Sequence, residues 1–334
     1  MKQNRLGNSD VLVSSIALGA LHFGVYLNEK NSHDLLSFAS ELGINFIDTG
    51  PLYGNGNSEE IIGKYINPKR NSFVVSTKVG LDKVTRKDGT FGVGVKKLTR
   101  ENILQSLNAS LSKLNTDYID ILQLHAYDPS TSLEESIEVL ESLVKDGKIR
   151  TYGVSNYNPE QLTELLKTVE AHEYMNFSCI ESHYNLLERV IKVSLLPLVS
   201  SAKISLIPYR AIARGVLSGK YMNGLIPDGS RASDSWRVKQ TLTEKVGVLV
   251  KTLSGEIERK YGKTILELSI AWLLSRDEIP TVLLGCRDVQ QLTENIEASK
   301  CVLSPDIVIF VDEIINRLGC MDIAQDSPKI YFEK

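Results

Sequence analysis

The sequence has few of the features that mark secreted, membrane-spanning or metal-binding proteins. Only four of its 334 residues are cysteines (Cys179, Cys286, Cys301 and Cys320), and none stands in a CxxC or CxxH pair. Its five histidines are scattered singly, so neither residue type indicates a zinc or other metal site. The first residues lack the apolar run of a signal peptide, and no apolar stretch is long enough to span a bilayer. We therefore expect a cytoplasmic protein with reduced thiols.

An excess of charge of one sign is also missing. Lys and Arg together number 38 against 41 acidic residues, which gives a net charge of −3. No basic stripe indicates a nucleic acid as partner, and no acidic tail indicates a charged one. Hydrophobic residues make up 42% of the chain, enough for a substantial core, and no linker divides it. The sequence therefore predicts a single domain over residues 1–334 and leaves the oligomeric state open.

What the sequence does contain is a regular alternation of short β-branched runs with amphipathic helical stretches. The candidate strands are Ile16–Ala20, Asn45–Thr49, Phe73–Lys78, Tyr118–His125, Arg150–Ser155, Ser178–Ser182, Ser205–Tyr209 and Thr281–Gly285. Such alternation predicts a parallel sheet with right-handed crossovers. Eight strand–helix units fit a closed (β/α)8 TIM barrel better than an open doubly wound sheet. No G-x-G-x-x-G motif follows the first strand, which also disfavours a Rossmann fold.

Three segments fall outside this alternation. Asn4–Val13 has a central Gly-Asn-Ser-Asp between apolar residues, which predicts a β-hairpin that closes one end of the barrel. Leu81–Leu98 follows the third strand and Ala211–Gln240 follows the seventh, and both exceed ordinary loop length. Both would lie at the barrel face that carries active sites, so we expect them to have a functional part.

Four polar residues lie at or just after neighbouring strand ends. Asp48 ends the second strand, Tyr53 follows five residues later, Lys78 ends the third strand and His125 ends the fourth. Each alone has an ordinary explanation, such as a helix cap, a surface charge or a hydrogen-bonded core residue. Adjacent strand ends of a barrel are neighbours in space, however, so the four together predict one catalytic group.

Such a group suits carbonyl reduction, which needs a hydride for the carbon and a proton for the oxygen. Tyr53 can supply the proton, although a phenol ordinarily titrates near ~10. We expect the Lys78 ammonium to lower that pKa and Asp48 to hold Lys78 by ion pairing. His125 can then polarise and orient the carbonyl oxygen.

The stretches around these residues resemble the aldo-keto reductase family. They are NFIDTGPLYGNGNSEEIIGKYI (45–66), STKVG (76–80) and DYIDILQLH (117–125), followed in order by GKIRTYGVSNYNPEQL (147–162), YNLLER (184–189), ARGVLSGKY (213–221) and LLGCRDVQQLTENIEA (283–298). The resemblance runs from Arg5 to about Ser299. It implies that Asp48, Tyr53, Lys78 and His125 form the family's catalytic tetrad, and that the enzyme uses NAD(P)(H).

The same resemblance implies where the cofactor binds. Ser155, Asn156 and Glu181 match positions at the nicotinamide carboxamide, and Tyr209 matches the aromatic ring on which the nicotinamide stacks. Further matches are Arg210, Gly215, Leu217, Gly219 and Lys220 at the pyrophosphate loop, and Gly285, Arg287, Gln291, Glu294 and Asn295 at the adenosine end. The chain departs from the family pattern in three places. Glu181 replaces a common Gln, His183 replaces an acid, and Arg210-Ala211-Ile212 replaces Ser-Pro-Leu.

Coenzyme choice and substrate are less strongly indicated. An Arg287 guanidinium near the adenosine ribose favours NADPH over NADH, although Asp288 partly offsets the attraction. Candidate substrate residues are His22, Phe23, Tyr127 and Trp236, and a cationic run contains Lys83, Arg86, Lys87, Lys96 and Lys97. That run is a solvated face or, alternatively, a recognition site for an anionic sugar. Beyond Leu303 we expect a helix near the site.

Two other functions remain open at this point. Some members of the family serve as regulatory subunits of channels, but no N-terminal extension precedes the expected barrel, which favours a free-standing enzyme. Lys78 could instead form a Schiff base, as in barrel aldolases. That chemistry would leave Tyr53 and Ser155–Asn156 without a role. The favoured prediction is an oxidoreductase that acts on an aldehyde, ketone or keto-sugar, in either direction.

Overall fold

The computed structural model describes residues 1–85 and 91–318. The strands are β1 Gln3–Arg5, β2 Leu12–Ser14, β3 Ile16–Gly19, β4 Phe46–Asp48, β5 Val74–Val79, β6 Leu81–Thr85, β7 Phe91–Val95, β8 Ile119–Leu124, β9 Ile149–Ser155, β10 Phe177–His183, β11 Ser205–Tyr209 and β12 Val282–Leu284. The helices are α1 Glu29–Glu41, α2 Ser58–Ile66, α3 Arg100–Leu114, α4 Leu133–Lys145, α5 Pro159–Ala171, α6 Ile191–Ser194, α7 Leu196–Ser201, α8 Arg231–Asp234, α9 Trp236–Thr241, α10 Glu244–Tyr261, α11 Ile265–Leu274, α12 Val289–Ser299 and α13 Pro305–Arg317.

The main sheet confirms the predicted barrel. Its eight strands are parallel and lie in the order β11-β10-β9-β8-β5-β4-β3-β12. The two outer strands approach each other, and the Leu206 N–H donates to the Glu278 carbonyl at 2.8 Å. Helices connect successive strands, so the chain forms a (β/α)8 TIM barrel. All eight predicted strands are present, with ends that differ by at most one residue.

Side chains from every second position of the strands point inward and fill the barrel interior. Ala17, Phe46, Val74, Ile121 and Ile207 all lie inside and are at most 5% exposed. The opposite faces of the strands pack against the helices in a second, larger core. Because both faces of each strand are covered, the strands read in the sequence as continuous apolar runs.

The predicted hairpin closes the amino-terminal end of the barrel. Strands β1 and β2 pair antiparallel, with Gln3 opposite Ser14. Leu6, Val11 and Val13 are fully buried against the barrel interior. Gly7 has a φ of +54°, and a Cβ there would lie 2.3 Å from the Ser178 carbonyl oxygen, so the turn requires glycine. The hairpin therefore leaves only the opposite end of the barrel open.

Helix caps fix where several of the surrounding helices begin. Asn158 and Gln161 form a capping box at the start of α5, and Thr264 and Glu267 form another at α11. Each cap satisfies backbone N–H groups that the first helical turn leaves unpaired, and is worth about 1 kcal/mol. The Asn158 cap ends the short loop after β9, and the Thr264 cap ends the turn between α10 and α11.

The two long segments have their own local structure. After β5 the chain forms an antiparallel hairpin of β6 and β7. Lys83 on this hairpin is exposed, whereas Arg86 and Lys87 lie outside the described residues. After β11 the chain forms 3₁₀ turns at Ala213–Ser218 and Met222–Gly224 and the short helices α8 and α9.

The expected C-terminal helix is α13. It packs against α10, and Asp312 joins it to the loop after β10 through Arg189 at 3.0 Å and Lys192 at 2.5 Å. No α13 residue lines the pocket at the carboxyl ends of the strands. Over residues 1–85 and 91–318, no helix combines the length and apolar character needed to cross a membrane.

Candidate active site

A pocket of about 370 Å³ opens at the carboxyl ends of the barrel strands. Asp48, Tyr53, His125 and Glu181 line its inner part, and a set of cationic side chains lines its outer part. Asp48 ends β4, His125 directly follows β8 and Glu181 lies near the end of β10, so all three stand at the same end of the barrel. The barrel therefore brings together the residues that the sequence spacing predicted to converge.

A buried ion pair lies beneath this inner part. The Lys78 ammonium donates to both carboxylate oxygens of Asp48, at 2.6 and 2.7 Å, and to the Thr49 carbonyl at 3.1 Å. Lys78 is fully buried and Asp48 is 1% exposed. Breaking such a pair leaves an uncompensated buried charge, so its geometry is strongly held.

A second carboxylate shares the same ammonium. Glu181 Oε2 lies 3.3 Å from Lys78 Nζ and accepts a hydrogen bond from Gln123 Nε2 at 2.9 Å. The Gln123 amide also donates to Ser76 Oγ at 2.8 Å. Glu181 is only 3% exposed, and its side chain faces the pocket. Two carboxylates and one ammonium thus form the floor of the site.

These contacts determine the protonation of the floor. Burial and the Glu181 carboxylate raise the pKa of Asp48 to about 7, against the opposing effect of Lys78. Burial opposes the charge of Lys78, but Asp48 and Glu181 raise its pKa well above the ordinary value. Lys78 is therefore a permanent cation at neutral pH.

Tyr53 lies directly above this cation. Its ring centroid is 5.0 Å from Lys78 Nζ and 6.4 Å from the His125 ring, which stands nearly perpendicular to it. The following turn requires Gly54, because a Cβ there would lie 1.9 Å from the Phe23 carbonyl oxygen. Tyr53 is partly exposed to the pocket.

The predicted direction of the Tyr53 pKa shift is wrong. Lys78 does lower this pKa, but desolvation by the surrounding protein is the larger effect and raises it, and Asp48 and Glu181 add to the rise. The sequence shows the Lys78 cation but not how strongly the surrounding protein desolvates the Tyr53 hydroxyl. Tyr53 is therefore fully protonated at neutral pH, which is the state that a proton donor needs.

His125 is a neutral imidazole in this site. Burial, with a smaller contribution from Lys78, lowers its pKa to about 3. Its backbone carbonyl accepts a hydrogen bond from Asn156 Nδ2 at 3.0 Å. A neutral ring can donate one N–H to a carbonyl oxygen without introducing a second charge beside Lys78.

A polar shelf adjoins His125 along the next three strands. Asn156 has a left-handed φ of 63°, and its side chain donates to Ser155 Oγ at 3.0 Å and accepts from the Tyr209 hydroxyl at 2.7 Å. His183 stacks on the Tyr209 ring with centroids 5.3 Å apart. The imidazole of His183 also contacts Glu188. This stack fixes the plane of Tyr209 at the pocket wall.

The outer part of the pocket is strongly cationic. Arg210, Arg214, Lys220, Arg231 and Arg287 all line it. Burial lowers the pKa of Arg231, and the neighbouring Arg287 and Arg210 lower it further. Like charges crowded in this way are stabilised when an anion binds among them. The pocket therefore joins an acidic, hydrogen-bonding floor to a cationic mouth.

Comparison with known proteins accounts for this arrangement. The sequence profile described as "Aldo/keto reductase family" matches residues 15–316. The chain belongs to this family. An aldo/keto reductase from Bacillus halodurans, solved in its holo form, has 26% sequence identity and a TM-score of 0.77, and the match covers 94% of this chain and 96% of that one.

Two curated relatives have different printed roles. An NADH-specific methylglyoxal reductase from Escherichia coli (strain K12) is 31% identical over 319 residues, which cover 91% of this chain and 95% of the relative. A probable voltage-gated potassium channel subunit beta from Arabidopsis thaliana is 30% identical over 327 residues, which cover 94% and 97%. The present chain is thus similar both to an enzyme and to a channel subunit.

Ten of the fourteen residues expected at the cofactor line the reductase pocket. They are Ser155, Asn156, Glu181, Tyr209, Arg210, Gly215, Lys220, Gly285, Arg287 and Gln291. The other four lie outside it. Leu217 is fully buried, Gly219 forms a turn, Glu294 is exposed beside Gln290, and Asn295 donates to the Cys286 thiol at 3.2 Å.

Only one of the four expected substrate residues lines the pocket. His22 does so, and burial together with Arg231 and Arg287 lowers its pKa to about 4. Phe23 is fully buried in the core, and Trp236 is 56% exposed on α9. Tyr127 packs against Tyr157 and its hydroxyl donates to Glu164 at 3.3 Å.

Sequence reasoning missed Arg214 and Arg231, although both are cations in segments already singled out. Arg214 stands within the matching stretch ARGVLSGKY, and Arg231 lies in the long segment after β11. The backbone N–H groups of Gly215, Leu217 and Gly219 donate to carbonyls of their own loop. Arg214, Gly215 and Lys220 of this loop line the pocket.

Proposed function

We propose that this aldo/keto reductase reduces an aldehyde, ketone or keto-sugar to the alcohol, with Tyr53 as proton donor and NADPH as the preferred cofactor. The observation that carries the proposal is the bidentate Asp48–Lys78 pair directly beneath Tyr53, with His125 beside it. Consumption of NADPH with a panel of aldehydes, ketones and sugars tests it, and a panel with no turnover would contradict it.

The donor groups of the pocket fit a nicotinamide dinucleotide. Five cationic side chains suit its phosphates, while Ser155, Asn156 and Glu181 offer hydrogen bonds at the inner end. Two buried polar atoms of the lining, His22 Nδ1 and Ser230 Oγ, have no hydrogen-bond partner among residues 1–85 and 91–318. When bound, the cofactor supplies or accepts the hydride. Ser155 and Asn156 would hold its carboxamide, and Tyr209 would support its ring.

The four catalytic residues have separate roles in the transfer of the proton. His125, as a neutral donor, orients the carbonyl oxygen toward Tyr53. The Tyr53 hydroxyl gives its proton to that oxygen as negative charge develops on it. Lys78 stabilises the resulting phenolate, and Asp48 holds Lys78 in position. In the reverse direction the same phenolate would take a proton from the alcohol.

The geometry of Lys78 disfavours the aldolase alternative. A Schiff base requires a neutral amine that can reach a carbonyl. The Lys78 ammonium is instead fully buried, does not line the pocket and has a raised pKa. Its hydrogen bonds go to Asp48 and Thr49.

The channel-subunit alternative is supported by the similarity to the Arabidopsis protein. It does not conflict with cofactor binding, since a regulatory subunit could retain the pocket. The discriminating observation is multiple turnover, because a purely regulatory protein would bind NADPH without consuming it in the presence of carbonyl substrates. We favour the enzyme because the four predicted catalytic residues form one connected group.

The preference for NADPH rests on Arg287. Its guanidinium carbon lies 3.9 Å from the Tyr26 ring centroid, and Nη1 donates to the Gly229 carbonyl at 3.3 Å. The adjacent Asp288 caps α12 by accepting from the Gln291 N–H at 2.7 Å, which directs its charge to the helix. Arg231 and Arg287 together would hold a 2′-phosphate, an interaction that NADH cannot make.

Arg287→Ala should therefore weaken the binding of NADPH about ten- to a hundredfold and the binding of NADH much less. A charge-assisted hydrogen bond to a phosphate is worth about 1.5–3 kcal/mol. Fluorescence titration with both coenzymes measures the effect. Arg317→Ala is a matched control, since Arg317 is an exposed arginine in the last turn of α13. Equal weakening of both coenzymes would show that Arg287 does not bind the phosphate.

The proposal extends to cellular location and domain organisation. Cys179, Cys286 and Cys301 are free thiols, and the first two are buried, which agrees with a reducing cytoplasm. We also propose that residues 1–334 act as one domain, because α13 packs on the barrel through α10 and Asp312. The exposed Lys83 and the neighbouring Lys97 do not line the pocket, which favours a solvated face for the cationic run.

A further inference from the structure

We propose that Glu181 stabilises the positive charge that develops on the nicotinamide ring as hydride leaves it, and so makes the pocket favour the oxidised over the reduced cofactor. The inference rests on the proposed function, because it requires the nicotinamide to bind beside Ser155, Asn156 and Tyr209. It gives Glu181 a role in hydride donation beyond a hydrogen bond to the carboxamide.

The position of Glu181 supports this role. On β10 it pairs in register with Ser155 of β9 and with Ile207 of β11, and the Asn156 N–H donates to its backbone carbonyl at 3.0 Å. Its side chain faces the pocket between the polar shelf and the ion pair. A charge at this position is therefore next to the groups that would hold the ring.

The charge balance of the floor leaves this carboxylate only partly compensated. Lys78 is the single cation of the floor, and both oxygens of Asp48 lie closer to it, at 2.6 and 2.7 Å, than Glu181 does at 3.3 Å. The nearby His125 and Tyr53 are neutral at neutral pH, because the pKa of His125 is about 3 and that of Tyr53 is raised. Once Asp48 is ionised, the floor carries a net negative charge.

Two neighbouring groups donate toward the Glu181 carboxylate. Its Oε2 accepts from the Gln123 amide at 2.9 Å and faces the Lys78 ammonium, and both neighbours are donors. On the other side of the shelf lies Arg210, whose guanidinium carbon is 5.4 Å from the Tyr209 ring. Arg210 is unchanged when Glu181 is altered, so its effect cancels in a comparison of variants.

The ring is neutral when reduced and positive when oxidised, so an adjacent carboxylate distinguishes the two forms. A full unit charge at roughly 5 Å with an effective dielectric constant of about 20 changes a binding constant by about two orders of magnitude. Because Lys78 partly compensates Glu181, we expect about tenfold. The same preference lowers the barrier for reduction, since the ring is already partly positive in the transition state.

Glu181→Gln provides the test, because glutamine keeps the size of the side chain and an acceptor oxygen for Gln123. Dissociation constants of NADP⁺ and NADPH are measured by calorimetry or fluorescence at a pH one unit above the pKa of Asp48. We expect the affinity for NADP⁺ to fall about tenfold relative to the affinity for NADPH. Adenosine 2′,5′-bisphosphate, which lacks the nicotinamide, should bind both proteins equally. Stopped-flow hydride transfer to a carbonyl substrate should slow by a smaller factor, because the ring is only partly positive in the transition state.

The outcomes separate the inference from the proposed function. If the wild-type protein binds neither nucleotide, the proposed function fails. If both bind and Glu181→Gln weakens them equally, Glu181 only accepts from the carboxamide or supports the fold, and the inference is overturned while the proposed function stands. If the glutamine variant does not fold, Glu181→Asp is tested instead. Aspartate keeps the charge but, being one methylene shorter, holds it farther from the nicotinamide site. A smaller shift against NADP⁺ would then support the inference, and an unchanged ratio would overturn it.

Discussion

Tyr53→Phe is expected to reduce the rate of carbonyl reduction by about 10²–10⁴-fold, the usual contribution of a positioned proton donor. The substitution removes only the hydroxyl, and the ring still fills its place above Lys78, 5.0 Å from the ammonium. Affinity for NADPH should therefore remain close to the wild-type value. Steady-state kinetics and fluorescence titration measure the two quantities separately.

Tyr118→Phe is the matched control for this variant. The Tyr118 hydroxyl donates to Asn71 at 3.1 Å in a groove that also contains residues of β1 and β2, at the other end of the barrel. It should leave both turnover and cofactor affinity unchanged. Near-normal turnover in Tyr53→Phe would show that another group supplies the proton.

Lys78→Met should abolish NADPH-dependent reduction and also destabilise the fold. Removing the ammonium leaves Asp48 and Glu181 facing each other without a cation, and breaking a buried pair in this way costs about 3–5 kcal/mol. Chemical denaturation measures the free energy of unfolding, and initial rates measure the activity.

A double variant separates the two effects of this substitution. Asp48→Asn combined with Lys78→Met removes both charges of the pair, so part of the lost stability should return while the activity stays absent. Borohydride added with carbonyl substrates should give no adduct on Lys78 of the wild-type protein by mass spectrometry. A substrate trapped on Lys78, without hydride transfer from NADPH, would instead support the aldolase.

The fold could be predicted from the sequence because each barrel strand forms a recognisable apolar run. Val74–Val79 and Ile119–Leu124 are buried along their whole length, so they appear as short β-branched and apolar runs. The sequence predicts a long loop where the structure has the hairpin of β6 and β7. Its Leu81–Thr85 strand is almost entirely exposed, so no apolar face marked it as structured.

The site was predictable where residues follow strand ends and unpredictable where a long loop places them. Asp48, Lys78 and His125 stand at or next to strand ends, and the barrel geometry brings them together. Arg214 instead reaches the pocket from a turn with left-handed φ angles at Ala213 and Arg214 itself, which no local pattern in the sequence indicates. The protonation of the site depends on burial, which is why the direction of the Tyr53 shift required the structure.

Transfer of deuterium from NADPH that carries deuterium at both positions of the nicotinamide C4 tests the central claim most directly. The wild-type enzyme is incubated with labelled NADPH and each active carbonyl compound, and the alcohol product is analysed by mass spectrometry and NMR. If the chain is a hydride-transferring reductase, the product carries the label on its carbinol carbon, and Tyr53→Phe forms it far more slowly. A product that forms without label on that carbon, or NADPH that stays unoxidised with every carbonyl compound of the panel, would contradict the proposed reaction.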